Sequence, residues 1–245
     1  MPTLIEARLR AQQPLRPDTR QLHGLACALF EGAEATDHDG QEKLFAVWPL
    51  RPMPGPPDQE WAFCATWLAA GPPPAGVVAP DQIRLGSASC LVPEITHRSV
   101  THAALAAGPP LAVACLEFCS PTYFSQNGSD VVLPDPRLIA GSWRRRWNAS
   151  LPDDDVMRID DDAWHGLHRA IRLTSFDLRT RRMDSGRGHE RAGFTGTATL
   201  RLDRDAHAAA RQVLGTLVRF AEFCGTGAQT THGFGATRVR SPSGE

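Results

Sequence analysis

The chain has one lysine, Lys43, one tyrosine, Tyr123, and six cysteines among which no C-x-x-C pair occurs. Without cysteines at metal-ligand spacing, neither a zinc site nor a disulfide framework is signalled. Cys27, Cys64, Cys90, Cys115, Cys119 and Cys224 are therefore read as small buried hydrophobes. No apolar run approaches the ~20 residues that a membrane span requires. The opening MPTLIEARLR lacks the charged-then-apolar order of a secretory leader. A cytoplasmic protein without a membrane partner is expected, and Asn127 and Asn148, each in an Asn-x-Ser match, are discounted as glycosylation acceptors. A surplus of one charge is also missing: Lys and Arg total 26 and Asp and Glu total 27, for a net charge of -1. That balance excludes a protein basic over its whole surface and shifts attention to local runs.

Two such runs are present. RTRRMDSGRGHER places Arg179, Arg181, Arg182, Arg187 and Arg191 around two glycines, against Asp184 and Glu190, and Arg144, Arg145 and Arg146 stand together farther upstream. A hairpin tip with that charge has the reach to enter an RNA groove or grip a stem, through phosphate contacts that set affinity and make it salt-dependent. The alternative is a solvated hairpin balanced by Asp153 to Asp155. Trp143 and Trp147 flank the arginine triplet, where they fit either base stacking or, as helix-spaced tryptophans more often do, a core. His165 and His168 are spaced i, i+3 on a helix but lack a supporting carboxylate or cysteine, so no metal and no cofactor is expected and both are read as surface residues.

With 245 residues, 42% of them hydrophobic, the chain can bury one large or two small cores. Residues 4–10 read as a first strand, and Pro17, Asp18 and Thr19 open a helix closed by Gly32, with Leu22, Leu25, Ala26, Leu29 and Phe30 on one face. Strands follow at 44–50 and 61–68, then a short helix around residue 80 and a last strand within 83–96. HAALAAGPP reads as a turn-prone, low-complexity divider. Beyond it the order repeats. A central strand fits 111–118, a helix fits 136–147, a second helix or an insertion fits 161–173, and a long hairpin has the arginine-rich segment at its tip. Its returning arm GFTGTATLRL puts Phe194, Gly196, Ala198, Leu200 and Leu202 on one face. A helix over 205–222 and the strand GFGATRVR close the chain. The fold class is α+β, with two tandem ferredoxin-like (RRM-like, βαββαβ) domains over residues 1–105 and 106–245.

FCGTGAQTTHGFGATRV leads from the last helix to the last strand and is punctuated by Gly225, Gly227, Gly233 and Gly235. No Gly-Lys-Ser/Thr follows, and the passage runs from helix into strand, which excludes nucleotide-hydrolase and dinucleotide fingerprints. The glycines alone fit a helix-capping connection, or a main chain able to approach an anionic backbone closely. In this order and place the loop resembles the signature of the RAMP superfamily of CRISPR proteins. FCSPTYFSQNGSDVVLPDPRLIAGSWRRRWN, over 118–148, resembles the middle segment of that superfamily's repeat-RNA endoribonucleases, the sixth CRISPR-associated protein family. GFTGTATLRL falls where that family has its corresponding strand. In the N-terminal half, LHGLACALF, a His-containing loop and KLFAVWPL follow the family's order.

The resemblance implies two ferredoxin-like domains, CRISPR repeat RNA as partner, and metal-independent cleavage by the ribose 2′-hydroxyl that leaves a 2′,3′-cyclic phosphate and a 5′-hydroxyl. It also leaves room for other effector-complex subunits or a second copy of the chain as partners, and for a non-catalytic RNA-binding role in an effector complex. His38, in the loop after the first helix, takes the position of the family's catalytic histidine, and imidazole can accept or donate a proton near neutral pH. Lys43 matches a cationic helper that stabilises charge on the phosphate oxygens. His23 is the reserve candidate, with Cys27 one turn later; relatives often have a tyrosine there. Gly225, Gly227, Thr230, Thr231, His232 and Gly233 of the loop, with Arg144, Arg145 and the hairpin arginines, make up the expected RNA-binding set.

Overall fold

The computed structural model describes residues 1–13, 15–30, 43–54, 60–71, 81–185 and 189–241. Strand β1 (Thr3–Ala11) follows its sequence alternation, with Ile5, Ala7, Leu9 and Ala11 buried on one face. It lies antiparallel between β4 (Glu60–Trp67) and β6 (Ala88–Ser99). Helix α1 (Thr19–Phe30) starts at a reciprocal cap: the Gln21 N–H donates to Asp18 Oδ1 at 2.8 Å, and the Asp18 N–H donates to Gln21 Oε1 at 3.1 Å. This is the capping box, which satisfies two otherwise orphaned donors. β2 (Phe45–Val47), β3 (Arg51–Pro52) and β5 (Gln82–Leu85) complete a sheet of order β2-β4-β1-β6-β5, with β3 also on β4.

The second sheet has the order β10-β11-β7-β12, from β7 (Val113–Thr122), β10 (Ile171–Asp184), β11 (Glu190–Leu202) and β12 (Thr237–Arg240). Counting only the main strands of each half, both sheets run second-third-first-fourth, the order of a ferredoxin-like βαββαβ unit. The expected fold class is thus the observed one. Helices α3 (Pro136–Ala149), α4 (Asp161–Ala170) and α5 (Ala208–Cys224) belong to this half, as does a small hairpin of β8 (Phe124–Gln126) and β9 (Ser129–Val131). Asn127 and Gly128 turn that hairpin at positive φ, the Asn-Gly chemistry of a two-residue turn.

Several expectations are corrected. HAALAAGPP, between the two sheets, is not a turn-prone stretch: α2 (His102–Ala107) occupies it, capped by Thr101 Oγ1, which accepts from the Ala104 N–H at 3.0 Å. Alanine favours helix, and Gly108-Pro109 stops it after two turns. The strand expected within 83–96 is a hairpin, because Gly86 at φ 63 reverses the chain between β5 and β6. The helix expected near residue 80 lies outside the described residues. Helix α4 ends at Ala170, and Ile171 already belongs to β10. Trp143 and Trp147 are fully buried and do not stack on a ligand. Trp147 meets Phe220 edge-on at 5.2 Å, and the Trp143 indole N–H donates to Thr226 Oγ1 at 2.9 Å. Of the cysteines, Cys64, Cys90 and Cys224 are buried, Cys27 and Cys115 half-buried and Cys119 exposed.

The two halves meet through specific polar contacts between the first sheet and helices α3 and α5. Thr66 Oγ1 donates to the Phe223 carbonyl at 2.5 Å, and Arg146 Nη2 to the Phe45 carbonyl at 2.6 Å. Leu68 of the first half packs in the core of the second. Among the described residues, no helix is long and apolar enough to cross a membrane.

Candidate active site

The seam between the halves holds a cluster of imidazoles. His23, on the flank of α1, stacks on His232 with ring centroids 4.1 Å apart and planes 5° apart, and leans on Phe45 at 5.5 Å. Its Nδ1 lies 3.0 Å from the Thr231 carbonyl oxygen, which only accepts, so Nδ1 bears the proton. In the neutral ring Nε2 therefore presents a lone pair, with Cys27 Sγ at 3.5 Å one helical turn away. Burial, then the neighbouring His23 and Arg20, push the His232 pKa down to about 4. His232 is uncharged at neutral pH, and a stacked pair of this kind avoids two adjacent cations.

The glycine loop builds this arrangement by turning inward. Gly227 and Gly235 sit at φ 83 and φ 69, and a Cβ there would lie 2.2 Å from the Tyr123 carbonyl oxygen and 1.9 Å from that of Thr226, so only glycine fits. Several of the loop's N–H groups are spent on the protein: Thr226 donates to the Gly235 carbonyl at 2.8 Å, Gly227 to Ser142 Oγ at 3.1 Å and Ala228 to the Tyr123 carbonyl at 2.8 Å. Gly225, Gly227, Thr230 and Gly233 are buried, whereas Thr231 and His232 are half-buried and reach the seam. The loop thus holds the Thr231 carbonyl and the His232 ring against α1. His38 lies outside the described residues. Phe30, the last residue of α1, packs at 5.6 Å on Phe45, the ring that His23 also leans on, and Lys43, two residues before β2, is half-buried.

The hairpin is ordered further toward its tip than expected. Its ladder is continuous to Asp184 and Glu190, so Arg179, Arg181 and Arg182 lie on β10 and Arg191 on β11; Arg187 lies outside the described residues. Alternation divides them. Arg179 and Arg181 share the face of Thr195 and Gly193, and Arg182 takes the opposite face, where it pairs with Glu190 at 3.6 Å. Arg191 pairs with Asp130 at 2.5 Å and lies 5.6 Å over the Tyr123 ring. Arg144 is tied down: it donates to Asp161 at 2.7 Å and to the Ile159 carbonyl at 3.1 Å, and covers Trp164. Arg145 is exposed, with no ion pair to a described residue. His168 is half-buried against Trp164 at 5.4 Å rather than a free surface residue, while His165 is exposed and bonds back to the Asp161 carbonyl. Among the described residues no group of three or more His, Cys, Asp or Glu could hold a metal ion.

Sequence reasoning named His23 and His232 separately and missed that they stack. The available signal was a histidine on the helix flank facing a histidine inside the loop that closes the fold.

Two ferredoxin-like sheets in tandem, whose last helix leads through an inward-turned glycine loop into the last strand, define a RAMP-type CRISPR protein. The model of the family described as CRISPR-associated endoribonuclease Cas6 matches residues 116–237, from β7 into β12. The chain belongs to the Cas6 family. A Cas6 from Mycobacterium tuberculosis is 29% identical over 160 residues, covering 62% of this chain and 49% of that protein, so the chain spans about half the length of the curated relatives it matches. A product complex of Thermus thermophilus Cas6 superimposes with a TM-score of 0.83 at 28% identity, over 98% of this chain and 100% of that one. A second Cas6 product complex gives a TM-score of 0.77 at 25% identity, over 98% and 100%.

Proposed function

We propose that this chain is an endoribonuclease that cuts CRISPR repeat RNA in precursor transcripts, at one position per repeat, to release guide RNAs. The observation that carries this reading is the stacked His23–His232 pair at the seam, in a member of the Cas6 family. That two similar Cas6 structures are product complexes supports RNA as the ligand. In this reading residues 1–105 carry the proton-transfer histidines, and residues 106–245 carry the RNA-gripping hairpin and the loop.

The substrate supplies its own nucleophile. The 2′-hydroxyl loses a proton, its oxygen bonds to phosphorus as the P–O5′ bond breaks, and the departing O5′ gains a proton. The products are a 2′,3′-cyclic phosphate and a 5′-hydroxyl. Two proton transfers and stabilisation of a crowded anionic phosphorus are required, which imidazoles and cations provide without a metal. His38 makes one transfer and His23, oriented by the Thr231 carbonyl, the other; Lys43 faces the phosphate oxygens. His232 keeps the His23 ring in place without adding charge. Arg145, Arg179 and Arg181 hold the RNA backbone.

The test is incubation of the purified protein with repeat RNA in excess chelator, with analysis of the product ends. Undiminished cleavage leaving 2′,3′-cyclic phosphate and 5′-hydroxyl ends is expected. Cleavage lost in chelator, or products ending in 3′-hydroxyl and 5′-phosphate, contradict the mechanism. Tight binding without any cut would make the chain a non-catalytic RNA-binding subunit.

A further inference from the structure

A second concavity of about 470 Å³ lies on the far flank of the glycine loop, between α3, α4 and the β8–β9 hairpin. Its walls include Gln126, Arg137, Arg145, Trp164, His168 and Ala228, and no carboxylate is among the lining residues. The larger cleft between the two sheets, about 560 Å³, is lined by Glu6, Glu117 and Glu222 as well as Arg51, Arg98 and Arg238, so its charges balance. The smaller pocket has the charge that a phosphate requires, within the ~300–1,000 Å³ range of small-ligand sites.

Its aromatic wall is held in place. Arg144, fixed by Asp161 and the Ile159 carbonyl, lies 5.3 Å over the Trp164 ring, and His168 leans on the same ring. Gly141 of α3 faces the ring, and an added Cβ there would stand 3.6 Å from the indole, an ordinary contact. Arg137 is oriented by its bond to the His168 carbonyl at 3.3 Å, and Arg145 projects from α3 with no ion pair to a described residue. Gln126 is exposed on the hairpin rim, with an amide able to both donate and accept. An indole, two guanidiniums and an amide suit one ribonucleotide: stacking for the base, cations for the phosphate and the amide for a base edge. A base inside a duplex cannot reach such a pocket, so the nucleotide is unpaired.

Ala228 lines this pocket and His232 stacks at the seam, and four residues of chain span at most ~14 Å. We infer that the pocket between α3, α4 and the β8–β9 hairpin takes one unpaired ribonucleotide close to the scissile phosphate, and that Trp164, Arg137 and Arg145 are specificity-determining residues. This rests on the endoribonuclease reading for the identity of the RNA and for the place of the scissile phosphate, but not for the pocket itself.

The experiment places 2-aminopurine at each unpaired position of the repeat RNA in turn and records its fluorescence on the bound complex, whether or not the RNA is cut. Strong quenching at one position is expected, lost in Trp164→Ala, largely kept in Trp164→Phe, and accompanied in Trp164→Ala by a KM raised about 10- to 100-fold with kcat little changed. Arg145→Gln, at an exposed position, should raise KM several-fold and reduce its salt dependence while the melting temperature is unchanged. If bound RNA shows no position whose fluorescence responds to Trp164→Ala, the inference is overturned and the endoribonuclease reading stands. If RNA is bound and quenched but never cut, the pocket stands and the catalytic reading falls.

Discussion

The loop from Gly225 to Gly235 and the hairpin from Arg179 to Arg191 belong to the same unit and are built on opposite plans. The loop is rich in groups suited to a phosphate, yet it turns several of its N–H donors onto Tyr123, Ser142 and its own Gly235. The hairpin is a regular ladder whose order extends nearly to its tip, and it leaves Arg179 and Arg181 exposed on one face. The difference teaches that glycine content and arginine content mark different tasks. Buried, satisfied main chain fixes a neighbour's geometry, whereas exposed guanidinium groups meet a ligand's charge.

The contrast can be broken at its stiffest point. Gly235→Ala would force a side chain against the Thr226 carbonyl at a positive φ. A stability loss of more than ~2 kcal/mol is expected, together with a cleavage rate lowered by ~100-fold or more as the Thr231 carbonyl and His232 shift away from His23. Thermal melting and single-turnover cleavage measure the two effects; unaltered cleavage in a folded variant would show that the loop does not set the site. On the hairpin, Arg179→Ala with Arg181→Ala should weaken repeat-RNA binding roughly tenfold and lower the salt slope by about one to two, with kcat and melting temperature little changed. A large drop in stability there would assign the arginines to the fold instead.

A smaller effect separates a buried histidine from the site. His102 is buried, its Nε2 is 2.9 Å from Ser150 Oγ, and burial pushes its pKa down to about 4. The folded pKa is below the unfolded value, so the stabilisation is complete above about pH 6.5 and is lost as the pH falls toward 4. The loss is at most about 3 kcal/mol. The melting temperature should drop across that window, and less steeply in His102→Gln; an unchanged pH dependence would mean that His102 is not the titrating group.

Much of this architecture was legible because local patterns and tertiary needs agree. The alternation of β1 and of GFTGTATLRL, the apolar stripe of α1 and the strand-helix order gave the fold class directly. Where one composition fits two structures, the reading failed: an alanine-rich stretch became α2 instead of a turn-prone segment, and Gly86 split one expected strand in two. Trp143 and Trp147, readable beside three arginines as a stacking platform or as core, lie in the core, as helix-spaced tryptophans more often do. The candidate site was legible as residue types and not as partners. His23, His232 and the Thr231 carbonyl meet across about 200 positions of sequence, a contact that only the docking of the two halves produces. Trp164 drew no notice because its environment comes from α3 and the β8–β9 hairpin rather than from its neighbours in the chain.

The account depends most on imidazoles performing the proton transfers. Its most direct test is single-turnover cleavage of repeat RNA by His23→Ala and His38→Ala at protein concentrations that bind all the RNA, so that affinity drops out. Each variant should cut ~100-fold or more slowly than the unaltered chain while its melting temperature and RNA affinity are retained. If both variants cut at the original rate, the seam is not where the bond is broken.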